Sequence, residues 1–119
     1  MKYLSLVKSS EQLGPAPQAL QEAMGTLMAD SFKDGSLVQT GGLGASAAGF
    51  RVRSVGGTLT VTDGPFTEAK EVIGGYAVLE WASREQAIEG TLAFMRLHRE
   101  HWPSWEGECE VRPINFLAP

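Results

Sequence analysis

A chain of 119 residues with 43% hydrophobic and 20% charged side chains can bury one sizeable core and is too apolar for disorder. Its formal charge of −4 leaves no excess of Lys and Arg to neutralise phosphates, which argues against a general nucleic-acid or anionic-membrane binder. The single cysteine, Cys109, excludes an internal disulfide and favours a reducing compartment.

The opening MKYLSLVKSS has too short an apolar run for a secretory signal, and no run reaches membrane-spanning length. One soluble cytoplasmic domain over residues 1–119 is expected. Lys2 to Lys8 alternates as a strand, with Leu4 and Leu6 on one face and Tyr3, Ser5 and Val7 on the other. From Gln18 to Asp34, Leu20, Ala23, Met24, Leu27, Met28 and Phe32 recur at helical spacing, and Gly35 suits a left-handed cap. Ser36 to Leu43 reads as a short strand entering GGLGASAAG. That loop lacks the spacing and the following helix of a dinucleotide fingerprint, so it reads as a tight connection.

Phe50 to Val55 and Thr58 to Thr62 flank Gly56-Gly57 as a hairpin. Glu71 to Trp81 is the strongest apolar strand. Ser83 to Gln86 is a capping box opening a second helix, whose inward stripe is read as Ala87, Ile88, Thr91, Leu92, Met95 and His98. Trp102-Pro103 ends it. Cys109 to Phe116 supplies a last strand, placed at a sheet edge or bent by Pro113. Without the hairpin, this order is the βαββαβ pattern of an α+β, ferredoxin-like sandwich. Two helices cover one sheet face. The other face, assigned Tyr3, Ser5, Val7 and Tyr76, is expected to be covered by a second copy.

Between the hairpin and the strongest strand lies VTDGPFTEAKEVIGGYAVLE. Asp63-Gly64 is a turn pair and Pro65 restricts the backbone, so Asp63 reads either as a structural turn residue or as a carboxylate aimed into a cleft. Partial burial beside Phe66 would raise its pKa and suit a general base. Gly74-Gly75 inside a strong strand implies a bulge or ligand access, and Tyr76 could line a pocket. Glu68, Lys70 and Glu71 read as a solvated linker, with Glu71 at the strand entry as a weaker site candidate. His98 and His101 lie one helical turn apart. With no third ligand at diagnostic spacing, they fit a helix C-terminus better than a metal site. Trp102 and Trp105 suit core or interface anchors, and Cys109 a small buried residue.

Thr62-Asp63-Gly64-Pro65-Phe66, followed by Glu68, Lys70, Glu71 and Gly74-Gly75-Tyr76, resembles the DGPF-type branch of the YCII-related family. The KYLSLV strand and the closing HWPSWEGECEVRPI resemble it too, so the likeness runs along nearly the whole chain. The resemblance implies ferredoxin-like protomers pairing as a dimeric α/β barrel, with a cleft beside the DGPF loop. Family members are often suspected enzymes, and some are associated with extracytoplasmic-function sigma factors. An Asp/His pair has been proposed as an active site in the wider family. Asp63 matches its aspartate, but His98 and His101 lie far from the usual early histidine, so the pair is not carried over.

Two functions follow as expectations. One is a cofactor-independent lyase or isomerase with Asp63 as proton acceptor, Phe66 and Tyr76 lining the cleft, and Arg53 or Arg112 steadying an anionic group. The other is a non-catalytic ligand-sensing module in a sigma-factor circuit. Neither calls for a metal.

Overall fold

The computed structural model describes residues 1–116, so the last three residues of the expected 1–119 domain lie outside the described residues. The alternating runs form β1 (Lys2–Ser9), β2 (Leu37–Gly42), β3 (Phe50–Val55), β4 (Thr58–Asp63), β5 (Val72–Glu80) and β6 (Gly107–Pro113). The helical runs form α1 (Gln18–Asp34) and α2 (Arg84–His101). Local chemistry sets the boundaries. Gly35 closes α1 at φ 85°, its N–H donating to the Phe32 carbonyl. The Ser83 hydroxyl accepts from the Gln86 N–H while the Gln86 side chain accepts from the Ala82 N–H, which starts α2. Gly56 and Gly57, at φ 57° and 79°, supply the turn between β3 and β4 that L-side chains resist.

The main sheet has the order β2-β5-β1-β6, antiparallel at every pairing. The architecture is ferredoxin-like α+β. β6 lies at an edge, where Pro113 costs no ladder bond on its open side. β3 and β4 form a separate two-stranded sheet, inserted between β2 and β5. No helix among the described residues is long and apolar enough to cross a membrane.

The register corrects the assignment of faces. Tyr3 pairs with Leu79 and Ser5 with Ala77, whereas Leu4 pairs with Val78 and Leu6 with Tyr76. Tyr3 and Ser5 are buried, and Tyr3 packs with Trp81 and with Ala87 of α2. Tyr3, Ser5 and Val7 therefore belong to the helix-covered face. Leu4, Leu6, Tyr76 and Val78 make the open one. Alternation shows that a strand has two faces, but apolar side chains stood on both and could not say which the helices would take.

The helix stripes are also rotated from expectation. Ile88, Leu92 and Phe32 are exposed, while Ala87, Thr91, Phe94 and His98 turn towards the sheet. Gly90 explains part of this rotation. A Cβ there would come within 2.6 Å of the Trp81 indole, so the helix lies directly against that ring.

Candidate functional site: an interlayer cavity and the DGPF corner

The DGPF segment is the root of the β3–β4 arm. Asp63 ends β4 opposite Phe50, and the Gly64 N–H donates to the Gly49 carbonyl at 2.9 Å, closing the base of the arm. A Cβ on Gly64 would fall 1.7 Å from the Ser46 carbonyl oxygen, so only glycine fits. Ser46 organises the corner. Its hydroxyl accepts from the Phe66 N–H at 3.1 Å and donates to Glu11 at 2.5 Å, while its own N–H donates to Glu11 at 2.7 Å. These two bonds hold the Glu11 carboxyl below the usual carboxylate range. The Arg51 guanidinium stacks 3.7 Å from the centre of the Phe66 ring and pairs with Glu68.

Beside this root lies a crevice of about 660 Å³, lined by Lys8, Ser46, Arg51, Phe66, Glu71 and Ile73, among others. Phe66 and Glu71 are thus brought together. The crevice has little free positive charge to offer a ligand. The Lys8 ammonium donates to Glu110 at 2.7 Å, and Arg51 is held by Glu68 and the Phe66 ring. Asp63 is exposed, lines neither this crevice nor the cavity described next, and accepts no side-chain hydrogen bond among the described residues. The partial burial expected beside Phe66 is absent because the strand end carries Asp63 outward. Arg53 is exposed on the arm, and Arg112 sits on β6, 3.7 Å from Glu110. Asp63, Arg53 and Arg112 do not share a cavity.

A second cavity, of about 600 Å³, lies between the helices and the sheet. Ser5, Val7, Ala77 and Leu79 form its floor, Met24, Leu27 and Met28 approach from α1, and Thr91, Phe94 and His98 from α2. Close-packed cores leave few voids larger than a water molecule, so this space is of ligand size rather than a packing defect. Short side chains create it: serine and alanine on the floor, and glycines 41, 42, 74 and 75 at one end. The bulge expected at Gly74-Gly75 is present, because the β1 pairing shifts register there, and both residues line the cavity. Tyr76 borders the cavity, but by register its ring is on the open sheet face, where its hydroxyl accepts from Gln39 at 2.9 Å.

His98 is the group that sequence reasoning undervalued. It is buried between the rings of Phe94 and Trp105, at centroid distances of 4.6 and 4.5 Å. Nδ1 lies 3.1 Å from the Phe94 carbonyl, which can only accept, so Nδ1 carries the hydrogen and a neutral ring leaves Nε2 as an acceptor. Burial pushes the imidazole pKa down. Cys109 is half-buried against Met95, and burial raises its thiol pKa. Among the described residues no three His, Cys, Asp or Glu side chains gather where a metal ion could be held.

The family model of the YCII-related domain matches residues 1–93. The chain belongs to the YCII-related family. No curated protein matches it. The match spans the DGPF corner and the cavity floor, while His98 and β6 lie beyond it. In this YCII-related chain the cavity's one histidine therefore comes from the part that the family pattern does not reach.

Its lowered pKa has a consequence for stability. Below the unfolded-state value near 6.5, the unfolded chain takes up a proton that folded His98 resists, so stability falls as pH falls. Above that value the contribution is fully present. Urea midpoints should decline from pH 7 to pH 5.5, with a slope from this residue of at most about 1.4 kcal/mol per pH unit. His98→Leu should flatten the profile in that window, where the carboxylates with lowered pKa values are still ionised. An equally steep profile in the variant would contradict the burial argument.

Proposed function

We propose that this YCII-related protein binds a small, neutral, mostly apolar organic molecule between its helix layer and its sheet. One observation carries the reading: the 600 Å³ cavity is lined by apolar side chains, hydroxyls and one imidazole, with no Lys, Arg, Asp or Glu. An ionised ligand would enter without a counter-charge, at a large desolvation cost. A ketone, lactone or phenol would meet the serine and threonine hydroxyls and the His98 acceptor. The catalytic version of this function is proton transfer beside a carbonyl, with His98 Nε2 taking the proton. The non-catalytic version is a sensing module of the kind associated with sigma factors. The functional unit is a homodimer, because Leu4, Leu6, Tyr76 and Val78 leave an apolar sheet face that the helices do not cover.

A thermal-shift panel pairing lactones, ketones and phenols with carboxylates of the same skeleton tests the ligand class. Neutral members should raise the melting temperature in proportion to occupancy, and their carboxylate partners should not. Ala77→Leu fills the cavity floor and should abolish the shift while the protein stays folded. Shifts that survive Ala77→Leu, or that follow the carboxylates, would refute the site or the class. Turnover of a bound compound that is lost in His98→Gln, with binding retained, would identify the catalytic version.

A further inference from the structure

We infer that the interlayer cavity selects a hydroxyl-bearing molecule, an alcohol or phenol, over the ketone or ether of the same skeleton; this rests on the ligand site proposed above and narrows its class. The polar groups whose hydrogens are already committed decide the matter. The Thr91 hydroxyl donates to the Ala87 carbonyl and the Thr40 hydroxyl to the Tyr76 carbonyl, both at 2.8 Å. The Ser36 hydroxyl points to the Ser31 carbonyl at 3.4 Å. A hydroxyl has one hydrogen and two lone pairs. Once it has donated, it has only acceptance to offer the cavity it lines.

His98 adds the most buried acceptor of the set, at 5% exposure. Nδ1 spends its hydrogen on the Phe94 carbonyl, and Nε2 has no protein partner among the described residues. No side-chain nitrogen or oxygen among them is sealed off without a partner, so Nε2 keeps an accessible surface, and the space that His98 borders is the cavity. Thr91 and His98 stand two turns apart on one face of α2, with the Phe94 ring between them. Donors for a carbonyl are less well fixed. The hydroxyls of Ser5, Ser9 and Ser31 can turn either way and do not discriminate. The Trp81 indole nitrogen lies against α2, 3.2 Å from where a Cβ on Gly90 would stand. A ketone set against His98 brings two acceptors face to face and leaves both unpaired. An alcohol satisfies Nε2 and still accepts from a serine. Leaving a buried acceptor unpaired in this way should weaken binding by at least about tenfold.

Calorimetric titration of the full chain at pH 7.5 with matched neutral pairs tests the preference: borneol with camphor, menthol with menthone, and naphthol with methoxynaphthalene. In each pair the hydroxyl member should bind at least about tenfold tighter, and His98→Leu should remove that advantage. Equal or tighter binding of the ketone and ether members to the wild type would overturn the preference alone. So would an advantage that persists undiminished in His98→Leu, since it would then come from shape. Binding that survives Ala77→Leu, or no binding by any member, would overturn the proposed site and the preference with it. Should His98→Leu fail to fold, nitrogen-15 signals of the imidazole rings decide in the wild type. The His98 Nε2 resonance should move on saturation with borneol, as expected for a nitrogen that gains a hydrogen bond. A resonance that stays in place while borneol binds would overturn the inference.

Discussion

Replacing Gly64 by alanine is expected to destabilise the protein by about 3 kcal/mol and to loosen the arm at its root. The added methyl would lie 1.7 Å from the Ser46 oxygen and 2.6 Å from its carbonyl carbon, and both are backbone atoms that cannot rotate away. To make room, the 46–48 turn must shift, which pulls the Ser46 hydroxyl from the Phe66 N–H and strains its two bonds to Glu11. Gly44→Ala is the matched control, since a Cβ there meets nothing within 4 Å and its φ needs no glycine. It should change stability by about 0.5 kcal/mol or less. Urea denaturation of both variants gives the comparison, and amide exchange in β3 and β4 reports on the arm. Equal effects of the two substitutions would show that the corner is not held as described.

Trp81→Ala should cost more, about 3–5 kcal/mol, because it removes the largest side chain of the core cluster. The indole packs on Tyr3 at 5.7 Å between ring centres and supports α2 at Gly90. It also lines the interlayer cavity, so its loss would enlarge a space that is already about 600 Å³. Few alternative contacts exist to absorb that change. Against a typical domain stability of about 5–15 kcal/mol, the loss should move the urea midpoint far enough to leave the variant partly unfolded at 37 °C. A cost below about 1 kcal/mol would mean that Tyr3, Trp81 and Ala87 do not form the core.

The comparison of sequence with structure divides by range. Features set within a few residues were legible: the Gly56-Gly57 turn, the Ser83 capping box, the Gly35 cap and the edge placement of Pro113. Each depends on local backbone chemistry that the residue types declare. The orientation of β1 was not legible, since Leu4 and Leu6 on one side and Tyr3 and Val7 on the other are both apolar. What settles it is packing against Trp81 and Ala87, nearly eighty residues away in the chain. Likewise Ser46 and Glu11 carried no local signal. Their importance arises only when a hydroxyl and a carboxylate thirty-five residues apart meet at the DGPF corner.

The candidate site shows the same division. Phe66, Glu71 and Tyr76 were picked out by the DGPF segment, and each borders a cavity. Asp63 was picked out for its type and setting, but the end of β4 turns it to solvent. His98 was assigned to the inward stripe, yet its neighbours Phe94 and Trp105 were needed to make it a buried, neutral acceptor. A glycine in α2, closely fitted to Trp81, sets the helix rotation that brings His98 in. Periodicity alone had placed Ile88 and Leu92 on that face as well, and both are exposed.

The central claim is that the space between the helix layer and the sheet is the ligand site, and the chain's four methionines offer a direct reading of it. Met24 and Met28 line the cavity, whereas Met1 and Met95 do not. Protein labelled with carbon-13 at the methionine methyl groups is titrated with a neutral lactone that raises the melting temperature, and the four methyl signals are followed. The account predicts that the Met24 and Met28 signals shift together to saturation while Met1 and Met95 stay in place. A compound that binds by calorimetry yet leaves Met24 and Met28 unmoved would contradict it.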